Sequence, residues 1–209
     1  MIKVHHLNNS RSQRILWLLE ELGLPYEIVS YKRDAVTNLA PPELKAIHPL
    51  GKSPVITDGD LVVAESGAIV EYLVAQYGKG SLVPPKGAPA QAVPYHHWLH
   101  FAEGSAMLPF LLALYLSRLN DGAAPLMPRV MSEIMNHLSY MEASLGDKPY
   151  FLGDEISPVD IQLSFVVEAA ESGGAIAAFP NLAAYAARIH GRPAYQAAIA
   201  KGGPYKLGR

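Results

Sequence analysis

From Ile2 to Leu7 a short strand-like run ends in Asn8, Asn9 and Ser10, residues that favour turns and helix caps. Ile15, Leu16, Leu18, Leu19 and Leu22 then recur at three- and four-residue spacing until Gly23 and Pro25, which predicts a helix with a defined stop. Tyr26 to Tyr31 reads as a second strand, and the crossover of such a strand-helix-strand unit pairs the two strands in parallel. A short helix is expected near Pro42 to His48. Ser53 to Thr57 and Leu61 to Ala64 read as strands around Asp58-Gly59-Asp60, and Asp-Gly is a strong hairpin signal. Glu65 and Ser66 open a helix that carries Ile69, Val70, Leu73 and Val74 and ends near Tyr77 and Gly78.

The pattern then changes. Residues 79–90 hold three prolines and two glycines and read as an interdomain connection. Beyond it, helical periodicity covers roughly 91–120, 126–145, 158–172, 181–190 and 193–200, with no convincing strand. The expected architecture is α/β plus all-α: a domain over 1–78, a linker over 79–90 and an all-helical domain over 91–209.

Composition narrows the chemistry. The chain has 209 residues, half of them hydrophobic and 17% charged, which suits a folded protein with a sizeable core. A formal net charge of −2 supplies no positive field for nucleic acid or anionic lipid, so neither is an expected partner. With no cysteine, thiol nucleophiles, zinc thiolates, dithiol cycles and disulfides are excluded, and any sulfur chemistry must use a substrate's sulfur. The amino terminus lacks the features of a signal peptide and no later run approaches membrane-spanning length, so the cytoplasm is the expected compartment.

Candidate chemistry sits at element junctions. Ser10, where the first strand meets the first helix, is placed either to cap that helix, a role Asn9 and Ser12 could share, or to meet an anion at its positive end. In Gly51-Lys52-Ser53-Pro54-Val55 a proline stands at the mouth of an apolar strand, either as an ordinary trans proline or as a cis one that turns the main chain of Ser53 toward a ligand. Glu65-Ser66 at a helix start suits the carboxylate and ammonium of an amino acid, or simple capping. Ser157-Pro158-Val159-Asp160 is a capping box with Ile156 as its staple, a folding feature. His96, His97 and His100 lack a carboxylate arranged to complete a metal site, and none is expected. Met107, Leu108, Phe110, Leu111, Leu114 and Tyr115 form an apolar helical stripe, core in the main, part of which could line a hydrophobic cleft.

Taken together, Asn9-Ser10-Arg11-Ser12-Gln13-Arg14 before the leucine-rich helix, Gly51-Lys52-Ser53-Pro54-Val55, Glu65-Ser66-Gly67-Ala68-Ile69 and Ser157-Pro158-Val159-Asp160 resemble the cytosolic glutathione transferases in order and approximate spacing, over essentially the whole chain. The resemblance is to the bacterial, theta-like serine type. It implies a thioredoxin-like domain with a mixed four-stranded sheet, a C-terminal helical domain, and assembly as a homodimer. It implies that Ser10 is catalytic, donating a hydrogen bond to the glutathione thiolate, with Asn9 and Ser12 as flanking alternatives. Pro54 would be cis, Ser53 would pair with the cysteinyl main chain, Lys52 would face the glycyl carboxylate, and Glu65 and Ser66 would hold the γ-glutamyl end. Glu103 would reach the glutathione of the neighbouring subunit. Met107, Phe110 and Tyr115 would form the site of a small hydrophobic electrophile. Glutathione is a co-substrate, and no metal or other cofactor is implied. The implied role is conjugation in detoxification. Alternatives are a non-catalytic interaction module or a glutathione-dependent peroxidase or isomerase on the same fold. Ser53 departs from the family pattern, which more often has an apolar residue there.

Overall fold

A computed structural model describes residues 1–80, 82, 89–203 and 205–207. It divides into two compact units, Met1–Val83 with His190–Lys206, and Pro84–Ile189 with Leu207–Arg209. Most of the expected 79–90 connection, Ser81 and 83–88, lies outside the described residues.

The first unit is built on a four-stranded mixed sheet in the order β2-β1-β3-β4, with β1 Ile2–Leu7, β2 Tyr26–Tyr31, β3 Val55–Asp58 and β4 Leu61–Ala64. β1 and β2 run parallel, joined by helix α1 (Ser12–Glu21), as the right-handed crossover requires. β3 pairs antiparallel with both β1 and β4. It begins at Val55, two residues later than the apolar run suggested, because the peptide before it, Ser53-Pro54, is cis and Pro54 has no N–H for the ladder. The hairpin turns on Gly59, whose φ of 59° lies in the left-handed region that glycine occupies without cost. Helix α2 is one turn, Leu44–Ile47, and α3 spans Ser66–Tyr77.

Ile15 to Leu19 of α1 are buried without exception, so both flanks of this helix are covered. The sheet lies on one flank. On the other lies α9 (Pro193–Gly202), with the Tyr195 ring edge-on to the Trp17 indole at 5.4 Å.

The second unit is helical. Among its described residues the strand-like geometry is limited to an isolated bridge between Tyr150 and Gly153. The run expected as one helix over 91–120 is α4 (Pro89–Phe101), a π-helical turn (Ala102–Ala106) and α5 (Met107–Leu116). Pro109 accounts for the widened turn: it has no N–H to offer Ser105, and the Met107 amide instead reaches back five residues to Ala102. Contrary to the expectation that no run approaches spanning length, Pro89–Leu116 is continuous over 28 residues, with mean hydropathy 1.4 in its most apolar window. Length and apolarity are all it shares with a membrane span, and it contains Pro94 and Pro109.

Helix α6 (Met127–Leu145) turns Val130, Ile134, Leu138, Met141 and Leu145 inward at helical spacing. Helix α7 (Pro158–Ser172) is buried on nearly every side and forms the centre of this core. Its expected capping box is present: the Asp160 carboxylate accepts from the Ser157 amide and hydroxyl, both at 2.8 Å, and also from the Phe151 amide at 3.0 Å. Helix α8 (Pro180–His190) starts on Glu142, whose carboxylate takes the Asn181 and Leu182 amides at 2.9 Å.

Candidate functional site

Strand register brings the junctions of the first unit together. Leu7 pairs with Tyr31, His5 with Val55, and Val55 with Ala64. The segments at that end of the sheet are therefore Asn8–Ser12, Lys32 and Arg33, Lys52–Pro54, and Glu65 with Ser66. Of the residues singled out from the sequence, Ser10 is within reach of both Ser12 and Ser53. The Ser10 and Ser12 hydroxyl oxygens are 2.8 Å apart, and Ser10 Oγ lies 3.5 Å from Ser53 Oγ. The Ser12 amide donates to Ser10 Oγ at 3.2 Å, so Ser10 takes the first amide of α1 as a cap does. Ser53 ties the turn to the sheet: its hydroxyl donates to the His5 carbonyl at 2.8 Å and accepts from the Leu7 amide at 3.3 Å.

The three candidates at the β1–α1 turn are not equivalent. Ser12 has no exposed surface and Ser10 keeps 4%. Asn9 holds φ at 51°, a left-handed value asparagine tolerates, and its side-chain oxygen accepts the Lys206 amide at 2.8 Å. Arg33 fixes this turn from the adjoining strand end, donating to the carbonyls of Asn8, Asn9 and Asn38. Burial, helped by nearby Arg11, lowers the Arg33 guanidinium pKa, as expected where positive charge collects.

Glu65 sits at φ 70° and ψ 122°, a conformation a residue with a Cβ adopts only when its surroundings impose it, and one that clusters at functional sites. Intrahelical bonding in α3 starts with the Ile69 amide donating to the Glu65 carbonyl, so the amides of the first turn precede it. Ser66 is buried, while Glu65 and Lys52 are exposed. Glu103 lies in the π-helical turn, and Met107, Phe110 and Tyr115 on α5, all in the second unit. Met107 is buried and Tyr115 is 54% exposed. His97 Nε2 hydrogen-bonds the Tyr140 hydroxyl at 3.0 Å and the ring stacks on Phe101, within an aromatic cluster. Among the described residues no group of three histidine or acidic side chains could hold a metal ion.

Nothing local in the sequence singles out Arg33 or the two histidines of β1. His5 Nδ1 lies 3.0 Å from the Tyr31 hydroxyl oxygen, and His6 lies 2.9 Å from Ser12 Oγ. Burial lowers both imidazole pKa values. Lys3 adds to the effect at His5, and the Gly202 carbonyl opposes it at His6. Alternation along β1 marks His6 as inward, in phase with Ile2 and Val4, but names no partner.

A parallel strand-helix-strand unit, a hairpin and a closing helix, with a cis proline entering the third strand, define a thioredoxin-like domain, here joined to a helical one. The family model described as "Glutathione S-transferase, N-terminal domain" matches residues 1–75, and "Glutathione S-transferase, C-terminal domain" matches 74–193. The chain belongs to the glutathione S-transferase family. It is 38% identical over 185 residues to Glutathione S-transferase 3 of Schizosaccharomyces pombe, covering 82% of this chain and 75% of that protein. Identity to Glutathione S-transferase GstB of Escherichia coli is 28%, over 95% of this chain and 98% of that one. A crystal structure of a glutathione S-transferase from Actinobacillus pleuropneumoniae superposes with TM-score 0.88 at 36% identity, covering 97% of this chain and 93% of the other. The long apolar helix Pro89–Leu116 falls inside the C-terminal family match.

Proposed function

We propose that this glutathione transferase takes up glutathione at the sheet end where β1 gives way to α1, keeps its sulfur ionised beside Ser10, and transfers it to a small hydrophobic electrophile. In this reading residues 1–78 form the glutathione domain, 79–90 the connection and 91–209 the domain with the electrophile site. The Ser53 main chain, next to Pro54, pairs with the cysteinyl residue. Lys52 faces the glycyl carboxylate, and Glu65 and Ser66 hold the γ-glutamyl ammonium and carboxylate. Asn9 and Ser12 frame Ser10. Glu103 serves the ammonium of the neighbouring subunit's glutathione, and Met107, Phe110 and Tyr115 receive the electrophile.

The observation that carries this reading is the convergence of Ser10, Ser53 with Pro54, and Glu65 with Ser66 at one end of the sheet, in a chain of this family. The positive end of α1, with Arg11, Arg33 and Lys52 nearby in sequence or space, suits an anion. A thiol with a reference pKa near 8.5 is lowered by such surroundings and is then largely ionised at neutral pH. The thiolate forms the new carbon–sulfur bond while the leaving group departs with its electron pair. Glutathione is the co-substrate and the chemistry calls for no further cofactor.

Exposed apolar residues on β4 (Leu61 and Val62) and α6 (Met131 and Met135) support assembly as a homodimer, which sedimentation tests. A cytoplasmic setting and a part in detoxification complete the proposal. The direct test is retention on immobilised glutathione followed by conjugation of a generic aromatic chloride. Binding with turnover is expected, and failure to bind would remove the proposal.

A further inference from the structure

His6 is a buried titratable group that the reaction above does not use, and its contacts form a line that ends at Ser10. Its Nε2 lies 3.1 Å from the Gly202 carbonyl oxygen. A carbonyl only accepts, so Nε2 carries the hydrogen and the neutral ring offers a bare Nδ1. Ser12 Oγ lies 2.9 Å from that Nδ1, and its one hydroxyl proton fills the gap. The 2.8 Å contact between Ser12 and Ser10 is then made by the Ser10 proton, so in the free chain both hydroxyls donate toward His6. The alternative acceptors, the Leu7 carbonyl at 3.3 Å for Ser12 and the Ser53 hydroxyl oxygen at 3.5 Å for Ser10, are the poorer ones.

This direction conflicts with a Ser10 that donates to sulfur. If Ser10 turned its proton outward while Ser12 still donated to His6, two hydroxyl oxygens would face each other at 2.8 Å with no hydrogen between them. The conflict disappears if every proton in the line moves by one place. Resting on the reading that glutathione's sulfur lies against Ser10, we propose that Ser10, Ser12 and His6 form a proton relay that takes up the thiol proton. The S–H bond breaks as Ser10 gains that proton, Ser10 passes its own to Ser12, and Ser12 passes its own to Nδ1 of His6. One S–H bond is exchanged for one N–H bond, each hydroxyl is left intact, and a thiolate faces an imidazolium across two serines. Afterwards Ser10 donates to sulfur, Ser12 to Ser10 and His6 to Ser12, with Nε2–H still on Gly202.

The resting chain keeps His6 neutral, because burial disfavours its charged form and no ionised side chain is among the causes of its shift. At the α1–α9 contact Glu20 pairs with Lys201 and Glu21 with Arg192. The thiolate therefore supplies a counter-charge that is not among the interactions shifting His6 in the free chain. Once attack has turned it into a thioether, which cannot take the proton back, the imidazolium loses that partner and the proton leaves through Ser12 and Ser10 to solvent, balancing the charge of the departed leaving group. His6 acts through the serines, as a positioning and proton-holding residue.

Proton counting tests the relay. Calorimetry in buffers of different ionisation enthalpy gives the protons released when glutathione binds at neutral pH, with S-methylglutathione, which has no thiol proton, as the baseline. Ultraviolet absorbance gives the thiolate formed. The wild type is expected to release fewer protons than it forms thiolates. Ser12→Ala cuts the line while keeping the residues at both ends, and His6→Asn keeps hydrogen bonding but cannot hold the proton. Both are expected to release a proton for every thiolate and to raise the bound thiol pKa by about one unit. Matching release and thiolate in the wild type, or variants that behave like it, would overturn the relay while leaving the glutathione site in place. A wild type that binds neither ligand would remove the site as well.

Discussion

Arg192 lays its guanidinium along the carboxylate of Glu21, with Nε 2.5 Å from Oε1 and Nη2 2.8 Å from Oε2. The two residues are 171 positions apart, at the start of α9 and the end of α1. Trp17 donates to the same carboxylate at 2.8 Å, so the pair is shielded and its geometry fixed. Arg192→Lys keeps the charge but cannot make the two-pronged contact. We expect it to lower stability by about 1–2 kcal/mol, read as an earlier thermal midpoint. An unchanged midpoint would mean that α9 is held by its apolar contacts alone.

Gly202, at the last position of α9, has no room for a side chain. A Cβ there would stand 2.6 Å from Gln13 Oε1, 2.7 Å from Leu16 Cδ1 and 3.4 Å from His6 Cε1. The Gln13 amide can turn aside, but Leu16 is fully buried. Gly202→Ala should therefore push α9 off α1 and cost about 1–3 kcal/mol. It should also lengthen the His6 contact to the Gly202 carbonyl, which a crystal structure of the variant would reveal.

Stability should depend on pH through the histidines of β1. Both are lowered by burial, so the unfolded chain binds protons that the folded chain refuses. Stability is whole above the unfolded value of about 6.5 and is lost as pH falls from there toward the folded values. His5→Phe, which leaves the relay residues in place, should make the fall in thermal midpoint between neutral and mildly acid pH shallower. A slope equal to that of the wild type would assign the loss to other groups.

Much of this was legible in the chain itself, because several elements carry local punctuation: Asp-Gly for the hairpin, Gly23 and Pro25 for the end of α1, Ser157 and Asp160 for the start of α7. What was not legible depends on contacts distant in sequence. Five consecutive apolar residues, Ile15 to Leu19, signal a helix covered on both flanks, yet nothing local says that α9, from the far end of the chain, is the second cover. The π-helical turn follows from Pro109 only once the helix is known to continue through it. Nothing in the sequence around His6 points to its partners, Ser12 and Gly202, because the fold brings them to it. The strain at Glu65 is likewise invisible in an Ala-Glu-Ser tripeptide.

That strain can be released by substitution. Glycine adopts the φ of 70° at position 65 without a Cβ clash, so Glu65→Gly is expected to stabilise the fold by about 1 kcal/mol. If the carboxylate holds the glutathione ammonium, the same change removes a charge-assisted contact and weakens binding about tenfold. Thermal melting and calorimetry separate the two effects. A more stable protein with unaltered affinity would take Glu65 out of the binding site.

Ser10→Ala bears on the chemistry most directly. Of the two hydroxyls at the start of α1, Ser10 keeps 4% of its surface while Ser12 is fully enclosed, and the nearby Ser53 hydroxyl is engaged with His5 and Leu7. Removing the hydroxyl leaves the main-chain and γ-glutamyl contacts intact, so affinity for glutathione should change little. The bound thiol loses a donor to its charged form and its route to Ser12 together, so its pKa should rise by about one unit or more. At neutral pH that converts most of the bound thiolate to thiol, and conjugation slows in proportion. Ultraviolet titration of the bound thiol measures the shift, and the pH profile of turnover should move with it. A pKa that stays where it was would transfer the role to Asn9, to Ser12 or to the amides of the first turn.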